Sequence, residues 1–287
     1  MKEILRSSSA RFMYFIRSNT GYSPPKALFK HLHFRGPFSV KLPNGHSITL
    51  YSWGCVLENE LAWLGWDGHE PDERRCWSAM VTRGGDVLDI GANTATFAIF
   101  AKALSPRSRV FAFEPLKRIA EKAKQNSKIS GIDITVICAA LAREVGELPI
   151  YDPGGEIAYS ASLDASFIGG KKETYNVPVL SVDEFCLEHG LDPTSIKIDV
   201  EGYEGEVICG AVQIIKRGHC TILCEWLGAS SANKEAEKIL YDNDYIALDV
   251  KNLSVINLYN ITKKEHRNVI FTHKSNHEKL KNSIIYK

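Results

Sequence analysis

Four acidic residues each follow a short apolar segment of the sequence. They are Asp89, Glu114, Asp199 and Glu225. Short apolar segments bounded by turn residues are typical of buried parallel strands. Because ligands of open α/β sheets gather at the carboxyl ends of the strands, we expect these four acids to converge on one crevice. The sequence therefore predicts a ligand site at that edge of a sheet.

The first two acids delimit a β-α-β unit that suits a nucleoside ligand. Residues 87–90 form the first predicted strand, and Gly91 lets the chain turn sharply after it. Glu114 lies 23 residues after Gly91, at the end of the second predicted strand, residues 110–113. An acid at about this distance can accept hydrogen bonds from both ribose hydroxyls.

The glycine pattern argues against a dinucleotide. A diphosphate site needs G-x-G-x-x-G, but positions 93 and 96 are Asn and Thr. Asp89, next to the turn, favours a cationic ligand over a diphosphate. S-adenosylmethionine carries a sulfonium and an ammonium group and is the leading cofactor. A nicotinamide oxidoreductase remains an alternative because it shares the β-α-β unit and the ribose acid.

Three motifs, taken in order, resemble those of the FkbM-type family of S-adenosylmethionine-dependent methyltransferases. They are Asp89-Ile90-Gly91-Ala92-Asn93, Phe113-Glu114-Pro115 and Lys197-Ile198-Asp199-Val200-Glu201-Gly202-Tyr203-Glu204. The likeness covers residues 85–274 and implies an α/β, Rossmann-like class I methyltransferase fold. Its seven-stranded sheet would be mostly parallel, with an antiparallel last strand. One departure is Ala95, where the family usually has Gly, and its methyl group narrows the room for the methionine part of the cofactor.

The resemblance also implies cofactor-binding roles. Glu114 would bind the ribose and Asp89 would orient the methionine end. The backbone just past the third predicted strand, residues 134–140, would border the adenine. The alternative for either acid is a loop or helix-cap role. The expected cofactor-binding residues are Asp89, Gly91, Ala92, Asn93, Glu114, Pro115, Ala140 and Leu141.

Asp199 and Glu201 are the candidate catalytic residues. The fourth strand of such folds usually delivers groups to the reacting methyl, so either carboxylate could take a proton from an acceptor hydroxyl. Alternatively, either could cap the helix that begins near Tyr203. The family is associated with O-methylation of sugars, glycans and natural products, which implies in-line methyl transfer to a hydroxyl of such an acceptor.

Two further alternatives concern the same acids. A metal-assisted O-methyltransferase would hold Mg²⁺ between carboxylates such as Asp199 and Glu225. A non-catalytic module would bind S-adenosylmethionine with the first β-α-β unit while its acceptor site had decayed. No resident metal is expected.

Residues 1–84 are predicted to form an N-terminal extension with a basic helix, a β-hairpin and a tryptophan-rich segment. Asn44-Gly45 lies between two alternating segments and is a strong hairpin signal. Trp66, His69 and Glu70 are, together with Glu225, the candidate acceptor-binding residues, since aromatic faces stack on sugar rings while His or Glu binds hydroxyls. Alternatively, the tryptophans of this segment cover an open edge of the main sheet.

Residues 85–274 are predicted to form the methyltransferase domain, and residues 275–287 are predicted to form a basic C-terminal tail. Within the domain, residues 206–216 are predicted to form one amphipathic helix, and residues 146–180 break the α/β alternation. Two predicted strands there, residues 148–151 and 175–180, enclose a loop rich in Gly and Ser, residues 152–172. We expect this insertion to lie over the mouth of the active site, where loops carry specificity.

Composition limits the remaining function classes. A net charge of +1 argues against a general nucleic-acid binder, and no apolar stretch approaches the ~20 residues of a membrane span. The seven cysteines include no C-x-x-C pair, which indicates a reducing, cytoplasmic compartment. The expected partner is a small-molecule or glycan acceptor, and the sequence does not indicate the oligomeric state.

Overall fold

The computed structural model describes residues 2–29, 31–33, 35–152, 154, 162–163, 173–227, 230–261 and 268–285. The chain forms two compact units. One comprises Met1–Pro71 with Lys128–Gly131, and the other comprises Asp72–Ser127 with Ile132–Lys287. The predicted domain boundary at residue 85 lies within the second unit, and it stays a prediction.

The N-terminal unit contains the predicted helix and hairpin. Its elements are α1 (Lys2–Thr20), α2 (Lys26–Phe29), β1 (Gly36–Lys41), β2 (Ser47–Ser52) and α3 (Val56–Leu64), followed by a 3₁₀ turn, Gly65–Asp67. β1 and β2 pair antiparallel around the predicted turn, where Gly45 has φ of +85°. Phe38, Val40 and Leu50 are buried while their neighbours along the strands are more exposed, as expected when alternate side chains face a core.

The larger unit alternates strands and helices. Its elements are α4 (Pro71–Val81), β3 (Asp86–Ile90), α5 (Thr96–Leu104), β4 (Val110–Phe113), α6 (Lys117–Ser130), β5 (Thr135–Ile137), β6 (Ala140–Leu141), β7 (Gly146–Asp152), β8 (Glu173–Leu180), α7 (Val182–Glu188), β9 (Pro193–Ile198), α8 (Glu204–Cys209), α9 (Val212–Lys216), β10 (Thr221–Glu225), α10 (Ser231–Asp242), β11 (Tyr245–Asp249), β12 (Val255–Ile256), β13 (Asn268–His273) and α11 (His277–Ile285). No helix in the described part of the chain is long and apolar enough to cross a membrane.

The main sheet confirms the predicted architecture. Its strand order is β12-β11-β13-β10-β9-β3-β4-β5, and the five strands from β10 to β5 are mutually parallel. β13 is antiparallel to both of its neighbours, as predicted for the last strand. The two-residue strand β12 makes eight strands among the described residues rather than seven. All five residues of β3 are buried, which fits a strand at the centre of the sheet.

Hydrophobic residues cover both faces of this sheet. Leu88 and Ile90 of β3 lie in one buried cluster, while Val87 lies in another. The second cluster includes Leu280 and Ile284 of α11. The end of the chain, predicted as a basic tail, therefore contributes a packed helix to the larger unit.

A second sheet, with the order β6-β8-β7, accounts for the insertion. The two predicted strands at residues 148–151 and 175–180 are confirmed as parts of β7 and β8. The predicted third strand, residues 134–140, is divided, because β5 ends at Ile137 and Ala140 begins β6 of the second sheet. Of the loop predicted over the active-site mouth, residues 153, 155–161 and 164–172 lie outside the described residues, and its placement stays a prediction.

Candidate functional site

The turn after β3 is held by its own backbone. The N–H groups of Gly91 and Ala92 donate to the carbonyl of Phe113 at 3.0 and 2.9 Å, and the N–H of Asn93 donates to Glu114 Oε2 at 3.0 Å. An anion-binding loop needs such N–H groups to point at the ligand. Because these three N–H groups already donate to groups of the chain itself, the turn is not arranged to bind a diphosphate.

Gly91 is required by the approach of another strand. It has φ of +79°, and a Cβ there would lie 1.8 Å from the carbonyl oxygen of Asp199. The N–H of Asp199 in turn donates to the carbonyl of Ile90 at 2.9 Å. The glycine therefore lets the segment after β9 lie against the turn after β3, which brings the first and third motifs together.

Ala95 adopts a left-handed conformation, with φ of 60° and ψ of 30°, at the N-cap of α5. This backbone costs an L-residue with a Cβ about 1 to 2 kcal/mol, and glycine adopts it readily. The position at which the family usually has Gly is thus one where glycine suits the backbone. Asn126 supports the turn by donating to the carbonyl of Thr94 at 3.0 Å.

Asp89 lies at the end of β3 and is only 1% exposed. Its Oδ2 accepts a hydrogen bond at 2.9 Å from the N–H of Ala98, in the first turn of α5. This contact satisfies one of the N–H groups that a helix start leaves unpaired. Asp89 therefore acts as a helix cap, and its role toward the methionine end of a cofactor stays a prediction.

Glu114 joins two backbone segments through its carboxylate. Oε1 accepts from the N–H of Leu116 at 2.9 Å, while Oε2 accepts from Asn93. Each carboxylate oxygen can accept more than one hydrogen bond, so both can also serve vicinal hydroxyls. Burial raises the pKa of Glu114 from 4.5 to about 7, against the opposing effect of these two hydrogen bonds. The geometry fits the predicted ribose ligand.

The predicted adenine neighbours occupy a paired strand. Ala140 and Leu141 are buried and lie opposite Val179 and Leu180 in the second sheet. Pro115 precedes α6, and its carbonyl accepts from Cys138 Sγ at 3.6 Å. Their contact with an adenine stays a prediction.

Asp199 is paired with Lys197, a residue of the third motif for which no role was predicted. Lys197 Nζ donates to Asp199 Oδ2 at 2.7 Å and lies 4.6 Å from the centre of the Phe97 ring. The lysine side chain is 8% exposed and that of Asp199 25%. A lysine between two isoleucines of a predicted strand was the available signal, since a buried ammonium needs a partner.

Three of the predicted functional acids lie together. Asp199, Glu201 and Glu225 each offer a carboxylate oxygen, and these atoms all lie within 4.8 Å of one another. Glu201 has φ of 55°, in the left-handed region. Acids at this spacing can bind a hydroxyl, accept its proton or hold a cation, so the cluster has the groups that an acceptor site needs.

Glu204 is a buried acid for which no role was predicted. Its Oε1 accepts from the N–H of Gly202 at 2.8 Å and its Oε2 from the N–H of Leu227 at 3.4 Å. Burial raises its pKa from 4.5 to about 8, although the backbone hydrogen bonds lower it. Glu204 thus connects the turn after β9 to the segment after β10, beside the acid cluster.

The predicted acceptor-binding residues Trp66, His69 and Glu70 lie in the N-terminal unit. Trp66 belongs to the 3₁₀ turn, and His69 Nδ1 contacts Glu60 Oε2 at 3.1 Å. His69 Nε2 lies 3.6 Å from Glu70 Oε1, and Glu70 has φ of 49°. The histidine is therefore held between two acids within its own unit. Binding of an acceptor by these residues stays a prediction.

Comparison with known proteins identifies one family. The sequence model described as the methyltransferase FkbM domain matches residues 89–247, more than half of the chain. No curated protein sequence matches significantly.

Solved methyltransferase structures match the chain at low identity and low TM-score. A methyltransferase FkbM from Methylobacillus flagellatus KT is 14% identical with a TM-score of 0.40, and the match covers 68% of this chain but only 47% of that one. A precorrin-6y C5,15-methyltransferase from Geobacter metallireducens GS-15 is 18% identical with a TM-score of 0.37, covering 69% of this chain and 85% of that one. Magnesium protoporphyrin IX methyltransferase from Synechocystis PCC 6803, solved with bound S-adenosylmethionine, is 12% identical with a TM-score of 0.39. That match covers 72% of this chain and 80% of that one. Similarity at this level carries no information about the acceptor.

Proposed function

The chain belongs to the FkbM methyltransferase family and is an S-adenosylmethionine-dependent methyltransferase, and on that premise we propose that it methylates a hydroxyl group of a sugar, glycan or natural product. The observation that supports an oxygen acceptor is the cluster of Asp199, Glu201 and Glu225 at the carboxyl ends of β9 and β10. Carboxylates can both orient a hydroxyl and accept its proton.

The cofactor would be held by residues of the first β-α-β unit. S-adenosylmethionine, when bound, supplies a methyl group that its sulfonium already activates. Glu114 would accept hydrogen bonds from the ribose hydroxyls, and Asp89 would orient the methionine end. The fit rests on the two Glu114 oxygens, each of which accepts one backbone N–H and has capacity for a further donor.

Asp199 would act as the base toward the acceptor hydroxyl. Lys197 donates to Oδ2 and so holds the carboxylate in place beside the acceptor. Glu201 and Glu225 would bind and align the acceptor, and Glu201 is the second candidate for the base. Alignment of the oxygen with the methyl group is the larger contribution, and a positioned base adds roughly 10²- to 10⁴-fold.

Replacing Asp199 tests the base. We expect Asp199→Asn to lower kcat by about 100-fold or more while the Kd for S-adenosylhomocysteine stays within about threefold. The acceptor should be the hydroxylated sugar or glycan that gives the fastest release of S-adenosylhomocysteine in a panel. A fall of less than about tenfold, with cofactor affinity intact, would show that Asp199 is not the base.

Two controls separate chemistry from stability. Asp192→Asn removes another ion-paired acid, whose side chain is 59% exposed and contacts Arg217, and it should leave kcat unchanged. Asp199→Asn replaces the carboxylate that pairs with the buried Lys197 ammonium, which we expect to lower the free energy of unfolding by roughly 1.5 to 3 kcal/mol. Urea unfolding of Asp199→Asn and of the double variant with Lys197→Met measures this cost.

Family membership favours neither a metal-assisted O-methyltransferase nor a non-catalytic module that only binds S-adenosylmethionine. The metal-assisted mechanism makes a separate prediction, because Mg²⁺ between the acids would be removed by a chelator. We expect kcat to change less than about twofold after dialysis against EDTA. Loss of activity that Mg²⁺ restores would instead assign the acid cluster to a metal.

A further inference from the structure

The N-terminal unit contains a cleft whose lining includes none of the residues assigned to the cofactor or to the acceptor. Its volume is about 350 Å³, within the range of about 300 to 1,000 Å³ typical of small-molecule sites. It is lined by Arg11, Tyr14, Arg35, Gly36, Pro37 and Tyr51. All six residues belong to the same compact unit.

Helix α1 forms one wall of the cleft by lying along the outer edge of β1. Arg11 donates from Nε and Nη2 to the carbonyl of Arg35 at 3.0 and 2.7 Å. Further along the strand, the N–H of Ser39 donates to the hydroxyl of Tyr14 at 3.0 Å. These contacts satisfy backbone groups that an edge strand would otherwise expose, so the helix and the hairpin are held at a defined distance.

The charge of the cleft selects an anion. Arg11 and Arg35 both line it, and its lining, as far as the chain is described, includes no acidic side chain. A lining that carries positive and no negative side chains lowers the energy of an anion bound in the cleft. Arginine presents a planar set of donors that matches carboxylate and phosphate oxygens.

The remaining lining suits a sugar ring. Tyr14 packs edge-on against Trp63 with ring centres 6.1 Å apart, and Tyr51 packs against Trp53 at 5.0 Å. Tyr51 lies opposite Pro37 in the hairpin, which places a proline ring beside the phenol. Aromatic side chains held by neighbours present rigid apolar faces with a polar hydroxyl at one end, a combination that binds the faces and hydroxyls of sugars.

We propose that this cleft binds a sugar that carries a carboxylate or a phosphate, with Arg11 and Arg35 on the anion and the two tyrosines on the ring. The proposal concerns the N-terminal unit alone and does not rest on the identity of the methyl acceptor. It would hold even if the acceptor proved to be an unrelated natural product.

Isothermal titration calorimetry on the full chain tests the proposal with four probes. D-glucuronate and D-glucose 1-phosphate are the anionic sugars, D-glucose is the uncharged sugar, and inorganic phosphate is the anion without a ring. We expect at least one anionic sugar to bind about tenfold or more tightly than D-glucose and than inorganic phosphate. Whichever anionic sugar binds more tightly identifies the source of the charge.

Three variants show whether binding occurs in the cleft. Arg35→Gln and Tyr51→Leu should each weaken binding of the anionic sugar by about tenfold. Arg107→Gln removes the same charge from an exposed position of the larger unit and should leave the Kd within about twofold. Thermal unfolding of each variant confirms that it folds.

Four results would overturn the proposal. The first is that neither anionic sugar binds. The second is that D-glucose or inorganic phosphate binds as tightly as the better anionic sugar. The third is that Arg35→Gln and Tyr51→Leu both retain the wild-type Kd, and the fourth is that Arg107→Gln weakens binding as much as Arg35→Gln does.

Discussion

Glu114 shows how one side chain serves both fold and ligand. Its two oxygens join the turn after β3 to the start of α6 through Asn93 and Leu116. The same burial that makes the position rigid raises the pKa of its carboxyl group to about 7. The residue that would bind the ribose is therefore also sensitive to pH near neutrality.

This sensitivity predicts a pH dependence of cofactor affinity. Ribose hydroxyls donate most strongly to the ionised carboxylate, so binding favours the form that prevails above pH about 7. We expect the Kd for S-adenosylhomocysteine to rise as pH falls from 8 to 6, approaching about tenfold per pH unit below the pKa. Calorimetry across this range measures it. The Glu114→Gln variant should bind S-adenosylhomocysteine more weakly, and its Kd should no longer depend on pH in this range. An unchanged pH dependence of the Kd would assign the titration to another group, such as Glu204.

The same shift acts on stability with a definite sign. Because the pKa of Glu114 is higher in the folded chain than its ordinary value of 4.5, the folded state holds the proton more tightly. Its contribution to the free energy of unfolding therefore falls as pH rises from about 4.5 to about 7 and is constant above that range. Cofactor binding opposes this loss by favouring the ionised carboxylate.

Sequence and structure agree on some individual residues and differ on others. The spacing between Gly91 and Glu114 was sufficient to predict a carboxylate next to the turn, and the structure brings them there. Lys197 and Glu204 were quoted within a motif but given no role, because burial, which makes their charges costly and their partners necessary, is not visible in a linear sequence. Asp89 was recognised by position, but the hydrogen bond to Ala98 depends on how α5 begins.

At the scale of elements, the second sheet contacts the acid cluster through Ser162. Its Oγ donates to the carbonyl of Glu201 at 2.6 Å, and its backbone pairs with Tyr151 of β7. Leu163 and Tyr203 both pack against the hydrophobic cluster of this sheet. The insertion therefore supports the turn that carries Glu201.

Replacing Ser162 tests this support. A hydrogen bond of this kind contributes about 0.5 to 1.5 kcal/mol, so Ser162→Ala should raise the acceptor KM roughly two- to tenfold without changing the Kd for S-adenosylhomocysteine. Ser195→Ala is the matched control, because this serine is also 1% exposed and its hydroxyl has no hydrogen-bond partner among the described residues. Steady-state kinetics measures the acceptor KM of both variants. Equal acceptor KM values for Ser162→Ala and Ser195→Ala would contradict a positioning role for Ser162.

Element boundaries were less predictable than element types. The apolar run at residues 134–140 gives no sign that the chain leaves one sheet after Ile137 and joins another at Ala140. The predicted helix at residues 206–216 is likewise two helices, α8 and α9, and they separate at Gly210, where the carbonyl oxygen of Ala142 lies 2.1 Å from the position of a Cβ. Both breaks arise from contacts with distant segments, which local periodicity does not record.

At the scale of the whole molecule, the family and the class I fold could be predicted because three short motifs fix the order of the strands that carry them. The division into two compact units could not, because α4 contributes Trp77 and Met80 to the core of the larger unit although its sequence lies in the tryptophan-rich segment. The C-terminal helix was missed for a similar reason, since its basic composition conceals Leu280 and Ile284.

The most direct test of the central claim is a calorimetric and thermal-shift comparison of S-adenosylmethionine, S-adenosylhomocysteine, NAD and NADP on the purified chain. A ligand at 100 times its Kd stabilises the folded state by about 2.7 kcal/mol. We predict that both S-adenosyl compounds raise the unfolding temperature, that Glu114→Gln weakens both, and that neither nicotinamide dinucleotide has an effect. Stabilisation by NAD or NADP without any by the S-adenosyl compounds would contradict the assignment of this site.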